Sequence, residues 1–133
     1  MRDVAFDLVG PESPLAYVWL WGRTPELATP RAAPHPVDGT ERAAVAHVDG
    51  RAVGVLRFEK DSDTLRILVV WTDPAYRRQG LAQQLGRMAV GPWARRGWIA
   101  AATEGGWRFA QRMQQIYPRL RWTIRDDRPP RQM

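Results

Sequence analysis

Residues 67–85 of this 133-residue chain, ILVVWTDPAYRRQGLAQQL, constrain its fold more than any other stretch. Ile67 to Trp71 are aliphatic, β-branched or aromatic and read as a buried strand. Pro74 ends that strand, because proline has no N–H for a central ladder. Arg77, Arg78, Gln79 and Gly80 form a basic loop, after which Leu81, Ala82, Leu85, Met88 and Ala89 fall on one helical face. A strand that feeds such a loop into a helix makes a natural anion site. Unpaired backbone N–H groups and the positive end of the helix dipole converge there.

The remaining elements follow in order. Val4 to Val9 reads as a first strand, and Ser13-Pro14 as the start of a short helix lined by Leu15, Val18, Trp19 and Gly22. A strand over YVWLW is the other reading of that run. Residues 23–39 are loop-like, with Pro25, Pro30, Pro34 and Pro36 excluding a long helix. Arg42 to Val48 and Ala52 to Glu59 alternate and are joined through Asp49-Gly50, a hairpin signal because a type I′ turn needs positive φ. A turn over residues 60–63 leads to a strand from Thr64 to Trp71, so three antiparallel strands precede the helix. That helix is expected to run from Leu81 to Val90 and stop at Gly91-Pro92, with a further turn over 93–96 closed by Gly97. Trp98 to Ala102 reads as a strand broken by Gly105-Gly106. Trp107, Ala110, Met113 (or Gln114) and Tyr117 then mark a helix stopped by Pro118. A last strand is expected over Leu120 to Ile124, followed by a frayed tail over 126–133.

Length allows one domain and one core. The absence of cysteine excludes disulfides and a thiol nucleophile. No apolar run approaches a membrane span, and MRDVAFDLVG lacks the pattern of a signal peptide, so a cytoplasmic protein with no membrane partner is expected. His35 and His47 have no cysteine or carboxylate cluster beside them, so no metal site is expected. The net charge is +6, and Lys60 is the only lysine, so the positive charge is almost wholly arginine. Arginine favours bidentate contact with phosphates. Together with the 7 tryptophans it also fits a nucleic-acid partner.

The string Asp73-Pro74-Ala75-Tyr76-Arg77-Arg78-Gln79-Gly80-Leu81-Ala82 resembles the acyl-CoA signature of the GNAT superfamily of N-acetyltransferases, Pro-x-Tyr/His-Arg-x-x-Gly-x-Gly/Ala. The hairpin with Gly54 and the ending Tyr117-Pro118-Arg119-Leu120-Arg121-Trp122 are also similar to that family, with Arg121 and Trp122 replacing its glycine and phenylalanine. The resemblance implies an α+β fold: a mostly antiparallel central sheet with splayed fourth and fifth strands, flanked by helices. It is clear over residues 42–122. Residues 1–41 would form a short acceptor-side region, with room for one helix where the family places two.

The resemblance implies acetyl-CoA as co-substrate and a primary amine as acceptor. Arg77, Arg78, Gln79, Gly80, Leu81 and Ala82 would wrap its pyrophosphate, and the backbone of Val70, Trp71 and Thr72 would pair with its pantetheine as an added strand. Tyr117 is the implied proton donor, with packing as its other reading, because counting from the helix start places it about three residues late. The Thr64–Trp71 strand holds no carboxylate base, so Glu104 and Glu59 are candidates to hold a water, each also readable as a solvated acid. A homodimer is in keeping with the family. The alternative is a nucleic-acid-binding or adaptor protein on the same scaffold without catalysis, and a nucleic-acid-linked acceptor would join the two readings.

Overall fold

The computed structural model describes residues 4–9, 41–49, 51–77 and 79–130. The helix expected after Ser13-Pro14, the proline-rich loop, His35, Gly50 and Arg78 lie outside them. The described elements are β1 (Ala5–Val9), β2 (Glu41–Val48), β3 (Arg51–Asp61), β4 (Thr64–Thr72), a 3-10 turn (Pro74–Tyr76), α1 (Leu81–Ala89), β5 (Arg96–Ala101), α2 (Glu104–Ile116) and β6 (Arg121–Asp126). One six-stranded sheet takes them in chain order. The first three pairings are antiparallel, while β4–β5 and β5–β6 are parallel. This is the mixed α+β fold that the resemblance implied, with a parallel β5–β6 pair in addition.

Each parallel step needs a crossover, and α1 and α2 supply them. Both helices pack on the same face, α1 over β2, β3 and β4, α2 over β5 and β6. Leu81, Leu85 and Ala89 of α1 and Phe109, Ala110 and Met113 of α2 face inward at helical spacing. They meet Ala44, Ala46, Leu56, Phe58, Leu65, Ile67 and Ile99 in the main core. The alternate residues Ala43, Val45, Ala52 and Val55, with Val69 and Trp71, form a smaller apolar group on the opposite face. Asp49 (φ 52) and Ser62 (φ 57) take the positive φ that the two hairpin turns require.

The segment between α1 and β5 departs from the sequence reading. Residues 93–96 form no helical turn, and Gly97 is not a helix cap but the second residue of β5. The Arg95 and Arg96 N–H groups both donate to the Asp63 carbonyl (2.8 and 3.1 Å), which draws the chain into the sheet two residues early. Gly97 faces the Trp122 ring, and a Cβ there would overlap the ring. Gly105 and Gly106 do not break a strand but sit inside the first turn of α2, because Thr103 caps it by accepting from the Gly106 N–H at 3.0 Å. Finally, Asp126 belongs to β6, and the Asp127 N–H donates to the Ala101 carbonyl at 2.8 Å, so the expected frayed tail does not begin at 126.

The Gly97–Trp122 contact predicts that Gly97→Ala destabilises the domain by about 1–3 kcal/mol through overpacking. Urea denaturation checks this. The same change made together with Trp122→Leu should add little beyond the Trp122→Leu loss, since the obstructing ring is then gone.

Candidate active site

Strand β4 carries the site because it leaves its neighbour part-way. It pairs with β5 only from Thr64 to Ile67, against Arg96 to Ile99. Above that rung β4 continues to Thr72 and β5 to Ala101 without pairing to each other. On its other side β4 stays paired with β3 as far as Thr72, but the register skips Leu68. That extra residue is a β-bulge, which bends and twists the strand that carries it. It also switches the strand's phase: Leu65 and Ile67 face the helices below it, and Val70 faces them above. The fork therefore opens at the bulge. Val70, Trp71 and Thr72 lie on its unpaired stretch, with Trp71 half-buried against Val55 and Val45 on the opposite face. Trp98 and Ile99 are still paired, so the fork is shorter on the β5 side than the strand expected over Trp98 to Ala102.

The loop after β4 is held tightly. The Asp73 N–H donates to the carbonyl of Val53 (2.8 Å), and its side chain accepts from the Ala75 N–H (2.9 Å), fixing the turn through Pro74 and Tyr76. Tyr76 is half-buried against the main core. Arg77 is exposed and folds its Nε back onto the Thr72 carbonyl at 3.3 Å, which ties the loop to the end of β4. Gln79 and Gly80 are exposed. Gly80 precedes α1 with φ 75, a left-handed conformation that glycine adopts without strain, and a Cβ on it would meet nothing within 4 Å. Leu81 is buried and anchors the first turn of α1, beside half-buried Ala82.

The first capping bond of α1 runs from the Gln84 N–H to the Gly80 carbonyl (3.1 Å), so the N–H groups of residues 81–83 have no intrahelical acceptor. No acidic residue stands in that turn and Gly80 offers no side-chain cap. These donors, the helix dipole and open space above Gly80 together suit an anionic group. The same end of the sheet carries the fork. The geometry is that of a site for a ligand with an anionic head and an extended, amide-bearing tail.

A family model for the GNAT acetyltransferase domain matches residues 39–120. The chain belongs to the GNAT acetyltransferase family. Solved structures agree on the fold. An acetyltransferase of the family from Streptococcus pneumoniae superposes with TM-score 0.66 at 17% identity, covering 86% of this chain and 92% of that one. The aminoglycoside N-acetyltransferase AAC(6′)-Iy, solved with CoA, gives TM-score 0.60 at 14% identity over 100% of this chain and 97% of that one. A ribosomal-protein-alanine N-acetyltransferase from Brucella melitensis gives 0.54 at 14% identity, over 96% and 83%. No curated protein sequence matches the chain.

Within this GNAT domain the two catalytic candidates are far apart. Glu104 begins α2 and Tyr117 caps its C-terminal end. Thirteen helical residues separate them by roughly 20 Å along the axis, so the two do not serve one reacting atom together. Tyr117 is half-buried against the main core, and its carbonyl accepts from the Trp122 indole N–H at 2.9 Å. Glu104 is exposed and engaged by Arg128 Nη1 at 2.7 Å. Arg128 also grips Asp126 through Nε and Nη2, both at 2.8 Å, and lies 4.3 Å from the centroid of Trp107. This clasp fastens the end of β6 to the first turns of α2, beside the fork. The sequence reading missed it; its one signal is the Asp126–Arg128 spacing, whose meaning depends on where α2 starts.

The Arg128 side chain is the main cause that holds the Asp126 carboxyl at a pKa of about 2, below its ordinary 3.8. The folded-state value is depressed, so the clasp contributes fully above the ordinary carboxylate value and is lost as pH falls toward 2. Carboxyl NMR titration of Asp126 should show this low midpoint, and Arg128→Gln should return it toward 3.8.

Proposed function

We propose that this protein transfers the acetyl group of acetyl-CoA to a primary amine by direct attack on the thioester, in the cytoplasm. The observation that carries this reading is the fork between β4 and β5, which opens at the same edge of the sheet as the uncapped N-terminus of α1. In this reading Gln79, Gly80, Leu81 and Ala82 receive the pyrophosphate on their backbone, with Arg77 and Arg78 supplying positive charge. Backbone groups of Val70, Trp71 and Thr72 pair with the pantetheine amides as an extra strand would. The missing Cβ at Gly80 leaves the space that a phosphate needs.

Transfer requires a neutral amine and a proton for the departing thiolate. We assign the proton to Tyr117, which the family-like ending Tyr117-Pro118-Arg119-Leu120-Arg121-Trp122 supports. Glu104 would hold a water at the mouth of the fork, with Arg128 fixing the position of its carboxylate. A second reading, nucleic-acid binding without catalysis, draws on Arg96 and Arg121, which are exposed and in register on β5 and β6. It predicts oligonucleotide binding that weakens steeply with salt.

Calorimetric titration with acetyl-CoA tests the main reading. Saturable binding is expected in the native chain and none in Gly80→Glu, whose side chain enters the phosphate space and whose backbone costs about 1–2 kcal/mol at positive φ. Thermal melts of both proteins separate lost binding from lost fold. Equal binding by Gly80→Glu would place the cofactor elsewhere. Tyr117→Phe should lower kcat by about 100-fold or more at unchanged acetyl-CoA affinity, within the span usual for acid–base groups. Unchanged kcat with lower stability would make Tyr117 a packing residue.

A further inference from the structure

The sheet face away from the helices carries a row of groups that the acetyl-CoA reading does not use. Glu59 on β3 and Arg66 on β4 are register partners, as are Arg66 and Trp98 on β5. The Arg66 guanidinium lies 4.6 Å from the Trp98 ring centroid, and that of Arg125 approaches the same ring from β6 at 5.5 Å. Strand alternation puts all four on one face, because Leu65, Ile67, Ile99 and Ile124 take the other. Arg66 and Trp98 form the rung just below Ile67 and Ile99, the last before the fork. One residue along a strand is about 3.3 Å. The row therefore stands at the base of the fork, where a thioester at the tip of an inserted pantetheine would end.

Among the described residues, this face is the open one at that level. The helix side of the fork's base is filled by Ile67, Ile99, Leu85, Ala110 and Met113, all buried. The guanidiniums keep donors in reserve. Arg66 Nε lies 3.3 Å from Glu59 Oε1, yet it is buried and its proton makes no hydrogen bond. Arg125 gives Nε and Nη2 to Asp127 and remains 62% exposed. Each guanidinium has five N–H donors in a fixed fork that matches carboxylate and phosphate oxygens. Exposed Arg96 and Arg121 lie on the same face by the same alternation, so the arginines there outnumber Glu59, Asp61 and Asp127.

We infer that this row selects the acceptor, and that the acceptor is an amine bearing a carboxylate or phosphate group. The inference rests on the acetyl-CoA reading above. Arg66 and Arg125 take the anionic group, Trp98 takes the intervening hydrocarbon, and the amine is presented upward to the fork. Its nitrogen then forms the bond to the acetyl carbon as the carbon–sulfur bond breaks. The electron pair leaves with sulfur, and the proton lost by the amine is balanced by the one that makes free CoA thiol.

The experiment is thiol release from saturating acetyl-CoA by the full chain, with acceptors matched in size. The carboxylate set is 4-aminobutyrate, its amide and 1,4-diaminobutane; the phosphate pair is O-phosphoethanolamine and ethanolamine. At least one anionic amine should exceed its neutral partner about tenfold or more in kcat/KM, and comparison of the two sets tells carboxylate from phosphate. Arg66→Gln combined with Arg125→Gln should remove that preference through KM, leaving acetyl-CoA affinity in the calorimeter unchanged. Arg66→Lys should restore part of it. Equal or better turnover of neutral or dicationic amines overturns the proposal, as does turnover of none of the five, or a preference that survives in the double variant. If the native chain binds no acetyl-CoA, the titration reveals it before any amine is added, and both readings fall.

Discussion

The architecture depends on one interrupted ladder. β4 has nine residues, and β5 accepts only the first four of them. The skipped residue Leu68 explains why pairing stops there. A bulge on the β3 side turns β4 away from β5 while the β3–β4 ladder continues to Thr72. Strand edges without a partner are normally a liability, since their N–H and C=O groups invite another chain. Here the unpaired edge is short, lies inside the sheet, and faces a neighbour that is held by β6 on its other side. Such an edge has room for one extended segment. An edge of that kind suits something amide-bearing and narrow, as the proposed pantetheine tail is.

The helix that follows β4 turns the fork into a two-part site. Had residues 79–82 carried a serine, threonine or aspartate at the cap, its side chain would have satisfied the first turn of α1 from within the protein. Gly80 leaves that satisfaction to an incoming anion, and the absence of acid from the turn leaves its field uncancelled. Asp73 lies close in sequence but is turned to Ala75, where it holds the loop. Arg77 is likewise committed to Thr72. It acts as a brace between strand and loop while adding charge.

The loop and helix of this site were legible in the sequence because their signals are local. Proline, glycine and helical periodicity fall within twenty residues of one another, and Asp49 takes the positive φ of the first hairpin turn. What could not be read depends on register. Gly97 resembled a helix cap until the Asp63 carbonyl and the Trp122 ring claimed its neighbourhood. Gly105 and Gly106 resembled a break, since helix propensity disfavours them, but the Thr103 cap and packing of Phe109 and Met113 outweigh that preference. Arg128 read as part of a polar tail because nothing local shows that Glu104 and Trp107 stand beside it.

Backbone and side chains divide what the site shares with its family from what is particular to this chain. A fork and an uncapped helix use backbone, so many sequences can build them, which is consistent with structural likeness at 14–17% identity. Discrimination between acceptors has to come from side chains, and among the described residues the proposal gives that part to Arg66, Trp98 and Arg125, with Glu59 beside them. Parallel pairing of β6 directly against β5 is what brings Arg125 to Trp98. The ring is thereby flanked by a cation from either neighbouring strand. Two guanidiniums side by side repel a protonated amine and favour a neutral one tethered to an anion. An acceptor that must be unprotonated to react is served by such a field in both binding and reactivity.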